Sequence, residues 1–528
     1  MRKLLILGAG IYQVPLIKKA KAMGLYTIVA SYAGSYPGLA LADEVWNIDT
    51  TDYRKLISMA KKAGISGVCT SGTDVAVLSL GMICKELGLC GVSSSCARTV
   101  TDKALMKQAL LSHHVPTPES VRVSSFEESQ DVFRKFSPPV IVKAVDSSGS
   151  RGITRADSVE ELKTAYDAAR KVTKKDYVLV ERFLEAQEIG VDGFISGGEI
   201  RFLLPHGKFT HTTGGCTLPE GHYFPYPCSP ALYRDILLQT ERAAMAVGMD
   251  NCAINADVLV QGDQAFILEI GARAGATCIP ELITTYCGFD YYEQMIRQSL
   301  GETPDFTCRT PRPCMAKLLF SGKDGILSDI DEEQLAKCRT DCLDLSLDYP
   351  AGSSVEKVQN GTSRIGQVIM ETDDVHQLDE MMSRVRRSIR VDGTDLETLW
   401  TGKQDVQKPS GSSHKLKNYL LLHLNIMLFS FTGIFSKLAS IQYNSHGLGG
   451  WMLYLFLFLM IANCGIYALA WQKIIKKFDL STAYAHRSVY LIWSQLWAAL
   501  IFRESLSWNN LAGMLVVLIG VLVVQKYE

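Results

Sequence analysis

Between Asp102 and Arg273 the chain spaces out charged residues and a glycine-rich turn that together suit chemistry on a polyphosphate. Lys143 ends the apolar run VIVK, where an ammonium can reach phosphate oxygens. Behind it come Ser147, Ser148, Gly149, Ser150, Arg151 and Gly152, small enough for their N–H groups to close over an anion. Lys103 stands early in the helical pattern TDKALMKQ. Glu181, Arg182, Phe183 and Leu184 follow the apolar run YVLV. Such a switch offers backbone groups to the edge of an adenine and a Leu or Phe to its face, with Glu188 at a distance suited to ribose hydroxyls. Asp257 and Glu269 lie on two runs, INADVLV and AFILEIG, joined by QGDQ. A hairpin of that length brings both carboxylates to one end and one face. Glu269 interrupts an otherwise apolar run, and a pair of neighbouring carboxylates suits Mg2+ with ATP oxygens. Arg273, in EIGARAG, has a fork that fits a phosphate or acyl-phosphate oxygen.

Each of these has an ordinary reading in isolation. The Ser/Gly loop is also a common hairpin turn, Lys103 a solvated lysine, Glu181 and Glu188 surface acids, and the acid–arginine set a structural ion-pair group. The weight lies in one segment supplying phosphate cations, an N–H loop, acidic metal ligands and a base slot, the four parts phosphoryl transfer needs.

The elements that must position these residues follow a βαβ rhythm. KLLILGA, YTIVAS, ADEVWNID and GVCTSG read as strands alternating with helices over VPLIKKAKAMG, YRKLISMAKKAG and a stretch ending at Leu87, which implies a parallel, doubly wound sheet over residues 1–98. Its first turn carries Gly8 and Gly10 of a dinucleotide fingerprint, but Gln13 replaces the third glycine, so the turn reads as structural and a nicotinamide oxidoreductase is disfavoured. Residues 99–301 hold the site. A strand-rich segment over 302–400 (CMAKLLFS, CLDLSLDY, IGQVIMET) closes this part, and 401–417 is a polar Lys/Ser/Gly/Pro linker.

Composition then excludes several classes. Across 528 residues, 54 Lys+Arg and 55 Asp+Glu leave a net charge of -1, which argues against a general nucleic-acid binder. The 14 cysteines form no CxxC pair and read as reduced cytosolic thiols. The start, MRKLLILGAGIYQ, is too short an apolar run for a signal peptide. Beyond 417 come four apolar stretches, about 419–438, 451–471, 483–502 and 508–524, each near the ~20 residues that cross a bilayer.

Together TDKALMKQALLSHHVPTP, PPVIVKAVDSSGSRGI, YVLVERFLEAQEIGVDG and DVLVQGDQAFILEIGARAG resemble an ATP-grasp domain, and residues 1–392 resemble the whole ligase architecture: a pre-ATP-grasp α/β domain, the ATP-grasp fold and a small C-terminal domain, as in carbamoyl-phosphate synthase large chains and carboxylate–amine ligases. The resemblance implies that Lys103 and Lys143 contact ATP phosphates under the 147–152 loop, that 181–184 hold adenine and Glu188 the ribose, that Asp257 and Glu269 bind Mg2+ (or Mn2+), and that Arg273 steadies the transferred phosphate. Lys143 and Arg273 are thereby the expected catalytic residues. The implied reaction converts a carboxylate to an acyl phosphate, which an amine or similar nucleophile attacks. One departure stands out. Many members read E-x-N-x-R, with the Asn a metal ligand, where this chain has Gly271. No biotin-lysine motif is evident. Residues 207–230, with His206 just before them and His211 and His222 inside, are expected to be a loop lining the acceptor pocket or an ordinary hairpin loop.

The segment 418–528 resembles a four-helix, small-multidrug-resistance-like unit of the drug/metabolite transporter superfamily, best in LSTAYAHRSVYLIWSQLWAALIFRESLSWNNLAGMLVVLIGVLVV. Its first stretch contains no Asp or Glu, so it looks more like a lipid-linked-sugar flippase subunit or a plain anchor than a proton-coupled pump. Two functions compete: a membrane-tethered ATP-dependent ligase acting on small carboxylate and amine substrates, and a transporter or flippase subunit with a regulatory ATP-binding domain. Retention of both lysines, both acids and the arginine favours the enzyme. Basic residues at 403, 408, 415, 417, 473, 476, 477 and 526 place both termini and the ligase in the cytosol, in one fixed orientation, with any partner a parallel copy or a separate membrane chain.

Overall fold

The computed structural model describes residues 1–147, 149, 151–213, 216–401, 413–474, 486–505, 508, 510 and 513–517. They fall into two units, Met1–Gln404 and Asp405–Glu528.

The first unit opens with the expected parallel sheet, in the order Glu44–Asn47, Tyr26–Ser31, Lys3–Leu7, Gly67–Cys69. Three of its strands are mostly buried apolar runs and the edge strand Glu44–Asn47 is partly exposed; helices Val14–Ala22 and Tyr53–Ala63 lie between strands in the chain and Val77–Leu87 follows the last. The glycine turn is plugged from within. Gln13 is buried, its Oε1 accepts from Gly10 N at 2.8 Å and its Nε2 donates to Ser71 O. A Cβ on Gly8 would lie 2.9 Å from that same Oε1. The glutamine thus occupies the space where a third glycine would leave room, which is the physical content of the structural-turn expectation.

Two further sheets build the site. The smaller is antiparallel, in the order Ser120–Val123, Val178–Arg182, Val140–Lys143, Ile153–Ala156. Val178, Val180, Val140 and Val142 face the helices Phe126–Phe136 and Val159–Val172 in one core, so by strand alternation Glu181 and Lys143 share the other face with Leu179. The larger sheet has eight strands: Gln264–Gly271, Cys252–Gln261, Gln187–Ser196, Glu199–Thr213, Cys216–Phe224, Cys314–Phe320, Arg364–Met370 and Asp344–Leu347. The last three belong to the segment expected to close this part after residue 301. They extend the same sheet, Cys314–Phe320 pairing antiparallel with Cys216–Phe224; Cys314–Phe320 and Arg364–Met370 are nearly continuous buried runs, and Asp344–Leu347 is a partly exposed edge strand.

The second unit contains helices Ser413–His446, Trp451–Ile474 and Tyr490–Phe502. Leu422–Gly449 and Trp451–Gln472 are long and apolar enough to cross a membrane, with only 28% and 17% of their most apolar windows buried; Tyr490–Phe502 is shorter. The expected third stretch begins, and the fourth largely lies, outside the described residues, as do Lys403, Lys408, Lys476, Lys477 and Lys526. Within the unit, Asn463 Nδ2 donates to Leu428 O and to Thr432 Oγ1, both at 2.9 Å, and Lys437 pairs with Glu504.

Candidate active site

The hairpin Cys252–Gln261/Gln264–Gly271 sets Asp257 directly opposite Glu269. Each carboxylate is met by a lysine from another element. Lys103, at the start of helix Lys103–Ser112, donates from Nζ to Glu269 Oε1 at 2.6 Å and to Ser147 O at 2.9 Å, so it ties the hairpin to the glycine loop. Its position is fixed by Asp102, whose side chain caps the helix by accepting from Ala104 and Leu105 N. Lys208, on Glu199–Thr213, reaches Asp257 Oδ1 at 2.5 Å and Glu188 Oε1 at 2.6 Å. Burial acts to lower the Lys208 pKa, but Asp257 and Glu188 outweigh it and raise the value. Sequence reading missed Lys208; the one legible signal is a lone basic residue amid the apolar and aromatic run LLPHGKF.

Lys143 meets Glu181, not open solvent. Glu181 is 2% exposed; its Oε1 takes Lys143 Nζ at 2.5 Å and its Oε2 takes Lys107 Nζ at 2.8 Å. The ordinary reading of Glu181 as a surface acid is therefore corrected: strand alternation turns the carboxylate inward between two lysines. Burial acts to raise its pKa, but Lys107 and Lys143 together hold it below the usual range. Burial pushes Lys107 down to about 8 despite Glu181. Lys107 was also missed, though it stands one helical turn after Lys103. Past the sheet, Arg182 turns to Glu119 on the surface at 3.0 Å, Phe183 lies under the Arg155 guanidinium at 4.6 Å, and Leu184 continues the chain. In the loop, Gly149 and Gly152 take φ of +67° and +69°, and Ser147 Oγ donates to Arg151 O at 2.7 Å. Ser148 and Ser150 lie outside the described residues.

Arg273 is the hub of a third group. Its Nε and Nη2 donate to Asp74 Oδ1 and Oδ2, both at 2.8 Å, and its Nη1 donates to Asn255 Oδ1. Asn255 Nδ2 donates to Asp192 Oδ2 at 2.9 Å; that oxygen lies 3.0 Å from His206 Nε2, and Asp192 Oδ1 accepts from Gly275 N at 3.2 Å. Asn255 pairs across the hairpin with Gly271, so the amide missing at 271 stands on the neighbouring strand. Residues 207–230 are not one long loop: strands Glu199–Thr213 and Cys216–Phe224 run through them. His206 and His222 are buried, edge to face at 4.9 Å, and burial holds the His222 pKa well below its ordinary value. His211 stacks on Trp400 at 4.0 Å. The expected acceptor loop is thus a hairpin whose histidines mainly pack.

The carboxylates fit Mg2+. Asp257 and Glu269 are in register, about a third exposed, and each has one oxygen held by a lysine, with no hydrogen bond to the other among the described residues. Among the described residues no group of three or more His, Cys, Asp or Glu could hold a metal. Two hard oxygen donors completed by substrate phosphates is the usual way a protein holds Mg2+.

Residues 101–311 match the family described as phosphoribosylglycinamide synthetase, ATP-grasp (A) domain, and residues 317–392 match L-amino acid ligase C-terminal domain 2. The crystal structure of phosphoribosylglycinamide synthetase from Anaerococcus prevotii is similar at a TM-score of 0.62 and 28% identity, over 74% of this chain and 99% of that one. The L-arginine-specific L-amino acid ligase of Bacillus subtilis is 20% identical over 66% of this chain and 86% of its own length. The uncharacterized protein y4rH of Sinorhizobium fredii is 25% identical over 66% of this chain and 73% of its own length, and another relative, a trifunctional purine biosynthetic protein of Chironomus tentans, is covered over 34% of its length. With the two-sheet fold, the paired carboxylates and the lysines around them, these likenesses make the first unit an ATP-grasp carboxylate–amine ligase, a carbon–nitrogen bond-forming enzyme that uses ATP with Mg2+.

Proposed function

We propose that the chain is a membrane-tethered ligase that activates the carboxylate of an amino acid as an acyl phosphate and joins it to an amine. The observation that carries this reading is the cross-strand pair Asp257–Glu269, with Lys208 and Lys103 bound to its two carboxylates. Bound there, Mg2+ neutralises phosphate charge. The chain's own residues hold and orient. Lys143 and Lys103 supply positive charge beside the 147–152 loop, the segment 181–184 lines the adenine and Glu188 the ribose. Arg273 neutralises the phosphoryl group as a carboxylate oxygen bonds to the γ-phosphorus and ADP leaves. The amine then bonds to the acyl carbon, and inorganic phosphate leaves carrying one oxygen of the original carboxylate. The amino-acid class is supported by the L-amino acid ligase match over 317–392.

The test is ADP and phosphate release by purified protein across a panel of amino acids, with the carboxylate labelled by 18O. Label must appear in released phosphate. Turnover that leaves the phosphate unlabelled refutes the acyl-phosphate route, and no ADP with any carboxylate refutes the ligase reading.

Tethering rests on the two long apolar helices, whose side chains are mostly unburied, on the apolar stretches that follow them and on the lysine bias that favours a cytosolic ligase and cytosolic termini. We read 418–528 as a four-helix anchor in lipid, in a single orientation, with any partner a parallel copy or a separate chain.

A further inference from the structure

We infer that Asp74, from the N-terminal parallel-sheet domain, is the positioning residue of Arg273, and that position 271 is kept free of a side chain to admit it. The inference rests on the role of Arg273 proposed above. Asp74 and Arg273 are 199 residues apart, yet they meet through two parallel hydrogen bonds of 2.8 Å, with Arg273 15% exposed. A planar fork held on two oxygens is fixed in both direction and tilt, which a single contact cannot achieve. Nη1 is held as well, by Asn255 Oδ1, so the guanidinium is clamped between the two domains. The loop that brings Asp74 is itself docked: Ser71 bridges Ala274, and Gly72 N donates to Ala274 O at 3.1 Å. Gly72 has φ +64°, and a Cβ there would lie 2.7 Å from Tyr12 Cβ, so its close approach requires glycine.

Gly271 supplies the independent observation. Its φ is not in the left-handed region, so glycine is not needed for the backbone. A Cβ at 271 would meet Asp74 Oδ1 at 3.1 Å, and the next nearest atoms lie at 3.8 and 4.0 Å. The one atom that a side chain here would crowd is an oxygen of the Asp74 clamp. An Asn at this position, as the E-x-N-x-R pattern would have it, and the Asp74 carboxylate compete for the same space. The departure at 271 and the acid at 74 are therefore one arrangement.

The experiment is kinetics on the full-length detergent-solubilised protein with Arg273→Met, Asp74→Ala, Asp74→Asn, Gly271→Ala and the double variant Asp74→Ala/Gly271→Ala. A displaced guanidinium lowers kcat by about 100-fold, the scale on which a 1 Å misplacement acts, while KM for ATP stays within a few-fold. Gly271→Ala alone lowers kcat in the same direction, and adding it to Asp74→Ala costs nothing further, because the oxygen it crowds is gone. Asp74 variants that lose thermal stability with kcat intact, or losses from Gly271→Ala and Asp74→Ala that multiply, overturn the inference. Full activity in Arg273→Met overturns instead the proposed role of the arginine.

Discussion

Glu181→Gln isolates the buried charge cluster behind the glycine loop. Three side chains between 2% and 8% exposed share two short contacts, Lys143–Glu181 at 2.5 Å and Lys107–Glu181 at 2.8 Å. Removing the one anion leaves two buried cations, and breaking a buried pair from one side costs about 3–5 kcal/mol. The cost is capped, because Lys107 titrates at about 8 even beside Glu181 and will shed its proton near neutral pH once the carboxylate is gone. We expect about 4 kcal/mol. The chain holds two units, so global unfolding is a poor readout. Amide exchange of peptides covering residues 140–182 reads the local opening free energy, and about 4 kcal/mol is roughly a thousand-fold faster exchange. Lys143→Met is the control: it leaves Glu181 with Lys107 as a neutral pair and costs about 1 kcal/mol. Exchange changed less than about five-fold by Glu181→Gln, about 1 kcal/mol, or equal losses from the two variants, would falsify the assignment of Glu181 as the shared anchor.

Three further outcomes follow from the geometry. Asp257→Ala and Glu269→Ala should each abolish ADP formation with exchange of the eight-stranded sheet unchanged, the barrier rising by several kcal/mol; normal ADP production in both would remove the metal role. Lys107, depressed from 10.5 to about 8, makes the folded chain hold fewer protons than the unfolded one between those values, so stability should rise with pH across about 8 to 10.5, by up to about 3 kcal/mol. Lys107→Met should flatten that rise in the local opening free energy read by amide exchange of peptides covering residues 103–182, corrected for intrinsic exchange, and an unchanged profile would contradict the burial argument. In intact cells a cysteine introduced at Ser445 should react with an impermeant maleimide, whereas the exposed native Cys308 and a cysteine introduced at Ser410 should react only after permeabilisation; labelling at 410 from outside would invert the topology.

Local pattern carried much of this protein. The runs KLLIL, YTIVAS and GVC are mostly apolar because a parallel sheet is buried on both faces, and they form the strands expected of them. The hairpin was legible because its turn and strand signals are local, but counting from Gln261 opposite Gln264 would set Asp257 against Leu268, and the irregularity between Asp257 and Val258 is what puts Glu269 there. The apolar lengths over 419–438 and 451–471 gave two long helices for the same reason, since length and composition are local quantities. What tertiary structure decided was which charges meet. Glu181 looked like an acid at a strand end and became a buried anchor, because Lys107 approaches from a helix that no local rule places over it. Lys208 came to Asp257 from a strand 49 residues away. Asp74 reached Arg273 from another domain, through a gap that only the absent side chain of Gly271 leaves. Sequence periodicity specifies the face a side chain occupies. The partner it finds there depends on how separate elements pack, and for buried charges that partner sets the protonation, the orientation and the chemistry.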